Sequence, residues 1–131
     1  MSAVNATQRG RAAAELLMVD ACAVHRPGEL FTDFDTGVVS PGMALVYEGV
    51  CKVQQTIAQS SNPSAGGHSF TVQDARVDLP VLAGPFLVGD VVTITSSVLD
   101  AQLVSRRFRV VELFHKSFAT AQRIRVEEIT A

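Results

Sequence analysis

From Val19 onward, apolar residues recur at alternate positions in short runs, and turn-forming residues close each run. That period belongs to strands with one face in a core, so the pattern sets the chain as mainly β before any motif is read. The runs are VDACAVHR (19–26), ALVYEGVCKVQQ (44–55), SFTVQDARVDLPV (69–81), DVVTITSS (90–97) and the two arms of a hairpin between Leu103 and Thr130. In the second run Tyr47, Cys51 and Val53 share one face, and Glu48, Lys52 and Gln54 the other. About six short strands with turn punctuation predict a small β-barrel or sandwich.

Two stretches break the pattern. PGELFTDFDTGVVSPGM (27–43) reads as a turn-rich excursion, bent at Asp35-Thr36-Gly37 and again at Pro41-Gly42. TIAQSSNPSAGGHS (56–69) is polar and reads as a long mobile inter-strand loop, a length that in a compact domain usually marks function or disorder. Ahead of the strands, Thr7 to Val19 reads as one helix, with Thr7 as its cap and Ala12, Ala13, Leu16 and Leu17 as its apolar stripe. Gly10 is expected to weaken its first turn by about 1 kcal/mol relative to Ala. Residues 1–6 are expected to form a mobile arm.

A chain of 131 residues with 47 % hydrophobic content is one domain, large enough to bury a core. Its net charge of −2 hides an asymmetry. Residues 1–103 carry 5 basic and 10 acidic groups, whereas 104–131 carry 6 basic and 3 acidic. Such a split suits copies that stack head to tail, or ends that meet different partners. No apolar run approaches the roughly 20 residues of a membrane span. The N-terminal MSAVNATQRGR lacks a signal-peptide core, so synthesis in the cytosol and reduced cysteines are expected. Cys22 and Cys51 then read as small buried apolar residues.

The six cations of the last segment are Arg106, Arg107, Arg109, Lys116, Arg123 and Arg125. With the turn centred on Ser117, Phe108 faces Val126 and Val110 faces Ile124, an apolar ladder pointing inward. Outward, Arg107 faces Glu127 and Arg109 faces Arg125, a like-charge opposition that costs some tenths of a kcal/mol. The alternation slips at Val110-Val111 and at Glu127-Glu128, each a candidate bulge. A basic face with a tolerated repulsion predicts an acidic surface supplied from outside, so these six residues are the candidate partner interface.

Enzyme signals are weak. His25, His68 and His115 lack metal-ligand spacing, and no nucleophile elbow, phosphate loop or carboxylate pair occurs. The expectation is a non-enzyme without cofactor or metal. Sequence-independent nucleic-acid grip is disfavoured by the acidic total, the absence of Trp and the single Tyr.

GRAAAELLMVDACAVHRP, YEGVCKVQQ and VGDVVTITSSVLDAQLVSRRFRVVELFHKSFATAQRIRVEEI resemble the head-closure, or head-to-tail stopper, proteins of long-tailed (siphovirus-type) bacteriophages of actinobacteria. The likeness runs along nearly the whole chain and is strongest from Val88 to Ile129, in the Gly89-Asp90 strand entry and the two basic hairpin arms. It implies a β-barrel subunit of a virion, assembled in the bacterial cytoplasm as a ring of six or twelve copies. Its implied partners are the portal or adaptor ring on the head side, the tail terminator or tail tube on the other, and genomic double-stranded DNA passing through the lumen without specific binding. It also implies that an inter-strand loop gates the channel, which would assign Thr56, Ile57, Ser60, Asn62, Pro63, Gly66, Gly67 and His68. A tail-terminator ring protein and a cytosolic β-barrel nucleic-acid-binding module remain as alternatives.

Overall fold

A computed structural model describes residues 2–59 and 71–129. One helix, α1 (Ala3–Leu16), precedes six strands: β1 (Asp20–Thr32), β2 (Val39–Gln59), β3 (Thr71–Leu79), β4 (Val91–Ser97), β5 (Arg107–Leu113) and β6 (Gln122–Glu128). All pairings are antiparallel, and the sheet closes into a barrel in the order β1-β2-β3-β6-β5-β4. Of the expected barrel or sandwich with one N-terminal helix, the barrel is the observed fold.

Alternation explains the interior. Cys22 and Val24, Val77 and Leu79, Val92 and Ile94, Phe108 and Val110, and Ile124 and Val126 all point inward and form one cluster with Cys51 and Phe86. Side chains fill this small barrel, as the size of such barrels requires, so the single subunit has no open bore. Tyr47 meets Phe86 edge-on with centroids 5.9 Å apart, and its hydroxyl donates to the Val50 carbonyl at 2.8 Å. Burial pushes the Tyr47 phenol up to about 12. Cys22 and Cys51 are buried and unbridged on adjacent strands, where the Cys22 side chain and burial hold the Cys51 thiol above its ordinary value.

Several expectations are corrected. The helix starts at Ala3 with Ser2 as its cap, so it takes in most of the expected arm; Thr7 lies inside it and donates to the Ala3 carbonyl. Its expected apolar stripe faces outward, with Leu16 and Leu17 exposed. The half-covered residues are Thr7, Gly10, Arg11 and Ala14, the i, i+3, i+4, i+7 face of a helix. Gly10 has a reason to be there: a Cβ would stand 2.8 Å from the Thr120 methyl, while Arg11 donates to the Ala119 carbonyl at 2.9 Å. The helix lies on the barrel through close backbone approach, which an apolar-stripe reading cannot anticipate.

The 27–43 excursion is strand on both sides of the Asp33–Gly37 turn, in which Gly37 donates to the Asp33 carbonyl and Asp35 to the Asp33 carboxylate. Pro41-Gly42 is no bend; Pro41 pairs with Leu30, next to a register slip between Pro27 and Leu30. Thr56 and Ile57, expected in a loop, belong to β2 and pair with Asp74 and Gln73. Ser60, Asn62, Pro63, Gly66, Gly67 and His68 lie outside the described residues.

In the last hairpin the bulge at Val111 is present, while the register through Glu127 and Glu128 is regular. One bulge rather than two shifts the pairing. Arg109 faces Glu127 and Arg125 faces Glu112, so the expected repulsion within this hairpin does not exist.

Candidate functional site

The six candidate cations divide into two groups. Arg106 pairs with Glu128 at 2.7 Å and donates to the Gln102 carbonyl, and Arg109 pairs with Glu127 at 3.3 Å. Those carboxylates neutralise Arg106 and Arg109 locally; Arg107 and Arg109 lie in the first half of β5, and Arg106 immediately precedes it. Lys116, Arg123 and Arg125 gather instead with Arg76 and Phe114 around a groove of about 360 Å³.

Strand β3 brings Arg76, a residue the sequence pattern did not single out. Its outward position between inward Ala75 and Val77 is legible, but its neighbour is not. Because β3 pairs with β6 across a non-consecutive seam, Arg76 stands directly opposite Arg125. A like-charge opposition therefore exists, between different strands from those expected. Carboxylates and an amide flank it: Asp78 lies 3.0 Å from the Arg76 Nε, Gln54 accepts from the Arg76 guanidinium, and Glu112 lies 3.4 Å from Arg125. The Arg76–Asp78 approach lacks hydrogen-bond geometry, leaving both atoms unsatisfied in a buried position. In the next row, Arg123 stands opposite Asp78 and Asp78 opposite Lys52. Among the described residues, neither Arg123 nor Lys116 has an ion pair.

Phe114 and Lys116 also border a second, mainly apolar recess of about 410 Å³, walled by Val81, Leu82, Pro85 and Ala121. The Gln122 amide nitrogen lies 2.6–3.0 Å from the Pro80, Val81 and Ala83 carbonyls and ties that loop to the start of β6. A basic groove and an apolar recess thus share one aromatic wall. Phe114 is 56 % exposed there.

The opposite seam of the barrel carries the other distinctive surface. β4 pairs with β1 only as far as His25, so beyond that point β1 and β2 have only each other. At the root of this two-stranded ribbon, the buried Asp90 carboxylate takes both Arg26 nitrogens at 3.0 and 3.1 Å and the Leu87 amide at 2.8 Å. Sequence reading saw Gly89-Asp90 as punctuation; Gly89 has φ +99 and Asp90 anchors the ribbon. Further out, Glu29, Asp33 and Asp35 face no basic residue on the ribbon itself, and Phe34 at the tip is 97 % exposed. Leu30, Val38 and Val39 are more than half exposed as well.

At the other end of β2, Thr56–Gln59 pair with Thr71–Asp74 outside the β3–β6 contact, making a second two-stranded ribbon. The described residues include no group of three or more His, Cys, Asp or Glu placed to hold a metal, and no helix long and apolar enough to cross a membrane.

Residues 10–127 match the model of a family of unknown function, DUF6093. No curated protein matches the chain.

Proposed function

The chain belongs to the DUF6093 family, whose function is unknown, and we propose that it is a structural subunit of a ring at the head–tail junction of a long-tailed bacteriophage. In that role it joins the portal or adaptor ring of the DNA-filled head to the tail and helps retain packaged DNA. The observation that carries this reading is the pair of ribbons leaving opposite ends of β2, one at residues 26–44 and one formed where Thr56–Gln59 pair with Thr71–Asp74. A barrel packed solid with side chains offers no internal ligand site, so its binding surfaces are its projections and its outer wall. Two projections at opposite ends suit a subunit held between two neighbouring rings. The resemblance of the Val88–Ile129 segment to head-closure proteins supplies the identity of those rings.

Electron microscopy of particles from a phage encoding this chain tests the reading. A ring built of this barrel at the junction is expected; junctions without such density would end it. A second reading, nucleic-acid binding, is favoured by the groove of four cations beside Phe114. Its signature is an affinity for DNA that falls steeply and linearly on a double-logarithmic salt plot.

A further inference from the structure

We infer that the acidic tip of the β1–β2 ribbon of one copy docks into the basic groove and apolar recess of the next copy. The inference deepens the ring reading and rests on it, naming the contact that joins neighbours.

Topology is the first support. In the closed order β1-β2-β3-β6-β5-β4, the β1/β2 seam and the β6/β5 seam are three strands apart in either direction, on opposite sides of the barrel. Strand directions alternate around it, so the end of β1, the end of β3, the end of β5 and the start of β6 all lie at the same rim. The ribbon therefore leaves the rim that carries the groove, and the wall of the recess at residues 81–85 reaches its root, where the Pro85 carbonyl accepts from Arg26 at 3.0 Å. A contact between such surfaces is heterologous, repeats from copy to copy, and closes a ring when the rotation permits.

Chemical complementarity is the second support, and it has two independent parts. Glu29, Asp33 and Asp35 have no basic partner within the ribbon, while Lys116 and Arg123, the latter opposite Asp78, close no ion pair among the described residues. Phe34 touches no core, while the recess beside Phe114 is apolar and, at about 410 Å³, large enough for a phenyl ring. The tip presents an aromatic flanked by carboxylates, and the cleft presents an apolar recess flanked by cations. From His25 to Thr32 the ribbon reaches roughly 20 Å beyond the barrel wall at about 3.3 Å per residue, enough to reach a neighbour. A two-stranded ribbon is marginal alone in water, and docking supplies the missing packing.

Complementary charge swaps on the full chain test this. Glu29→Lys with Asp35→Lys reverses the tip and spares Asp33, whose carboxylate holds the turn; Lys116→Glu with Arg125→Glu reverses the groove. Sedimentation velocity at low salt should show wild-type chain associating in a concentration-dependent way, and each double variant associating roughly tenfold or more weakly. An equimolar mixture of the two variants should regain association, since each tip then meets a groove of opposite sign. Phe34→Ser, which leaves the barrel intact, should weaken association even if a groove variant proves unstable. Wild-type chain that stays monomeric, or association that survives both reversals, overturns the docking. Either result leaves the connector reading standing, because that is decided by density at the junction.

Discussion

The β5–β6 and β1–β2 hairpins are made from the same alternating grammar and meet opposite fates. Each arm of the first is sewn to a third strand, β4 on one side and β3 on the other, and Phe108, Val110, Ile124 and Val126 are at most 3 % exposed. The outer half of the second has no third strand, and Leu30, Phe34, Val38 and Val39 stand in the open. Composition does not separate them; neighbours do. An apolar residue on a strand is a demand for a partner, and the barrel meets that demand for one hairpin and leaves it unmet for the other.

The sharpest way to test the contrast is to remove one side chain from the satisfied hairpin. Phe108→Ala is expected to cost about 3–5 kcal/mol of unfolding free energy in a denaturant titration, from lost burial and the cavity left behind. A loss below about 1 kcal/mol would mean that the barrel interior collapses around the gap and is not a fixed packing.

The root of the ribbon comes next. Asp90→Ala strands the Leu87 amide and releases Arg26, whose guanidinium Asp90 holds above its ordinary pKa by a hydrogen bond. Arg26 is partly open to water and can be rehydrated, so the cost should be about 2–3 kcal/mol, less than for a fully buried pair. Amide hydrogen exchange should quicken in residues 26–32 more than in β5. Uniform acceleration would show that Asp90 serves the barrel and not the ribbon.

The fold was legible where periodicity and burial agree. Alternation in Arg107–Val111 and Arg123–Glu127 identified the four inward residues correctly even though the assumed register was wrong, because a slip by two residues keeps every side chain on its face. The charges on the other face enjoy no such protection. Their meaning depends on which residue stands opposite, and a two-residue slip of register, with the bulge at Val111, exchanged a repulsive Arg109–Arg125 pair for two attractive ones. Arg76 was invisible as a member of the cationic groove because the β3–β6 seam joins strands that are distant in sequence. Asp90 was legible only as a turn residue, since its partner Arg26 lies 64 positions away. The corrected register changes what Arg125→Ala should do. It removes a half-exposed pair with Glu112 and also relieves the opposition with Arg76, so stability should shift by less than about 1 kcal/mol in either direction. A larger loss would show that Arg125 supports the fold beyond that pair.

The smallest expected effect carries the most information about the ribbon. Pro27 and Met43 are register partners just outside the anchored root. Replacing residues 28–42 by Asn-Gly would close the hairpin there with a two-residue turn whose twist matches the flanking strands. Arg26, Asp90 and every inward side chain of the core cluster remain in place. The removed segment includes Leu30, Phe34, Val38 and Val39, all exposed, so their loss gives up no burial within the subunit. Shortening the loop also slightly reduces the entropy cost of closing it. The unfolding free energy should therefore stay within about 0.5 kcal/mol of wild type, as for surface changes away from packed features. Self-association should be lost in the same protein. A large drop in stability would mean that the ribbon packs against its own barrel in solution, and the two hairpins would then differ only in degree.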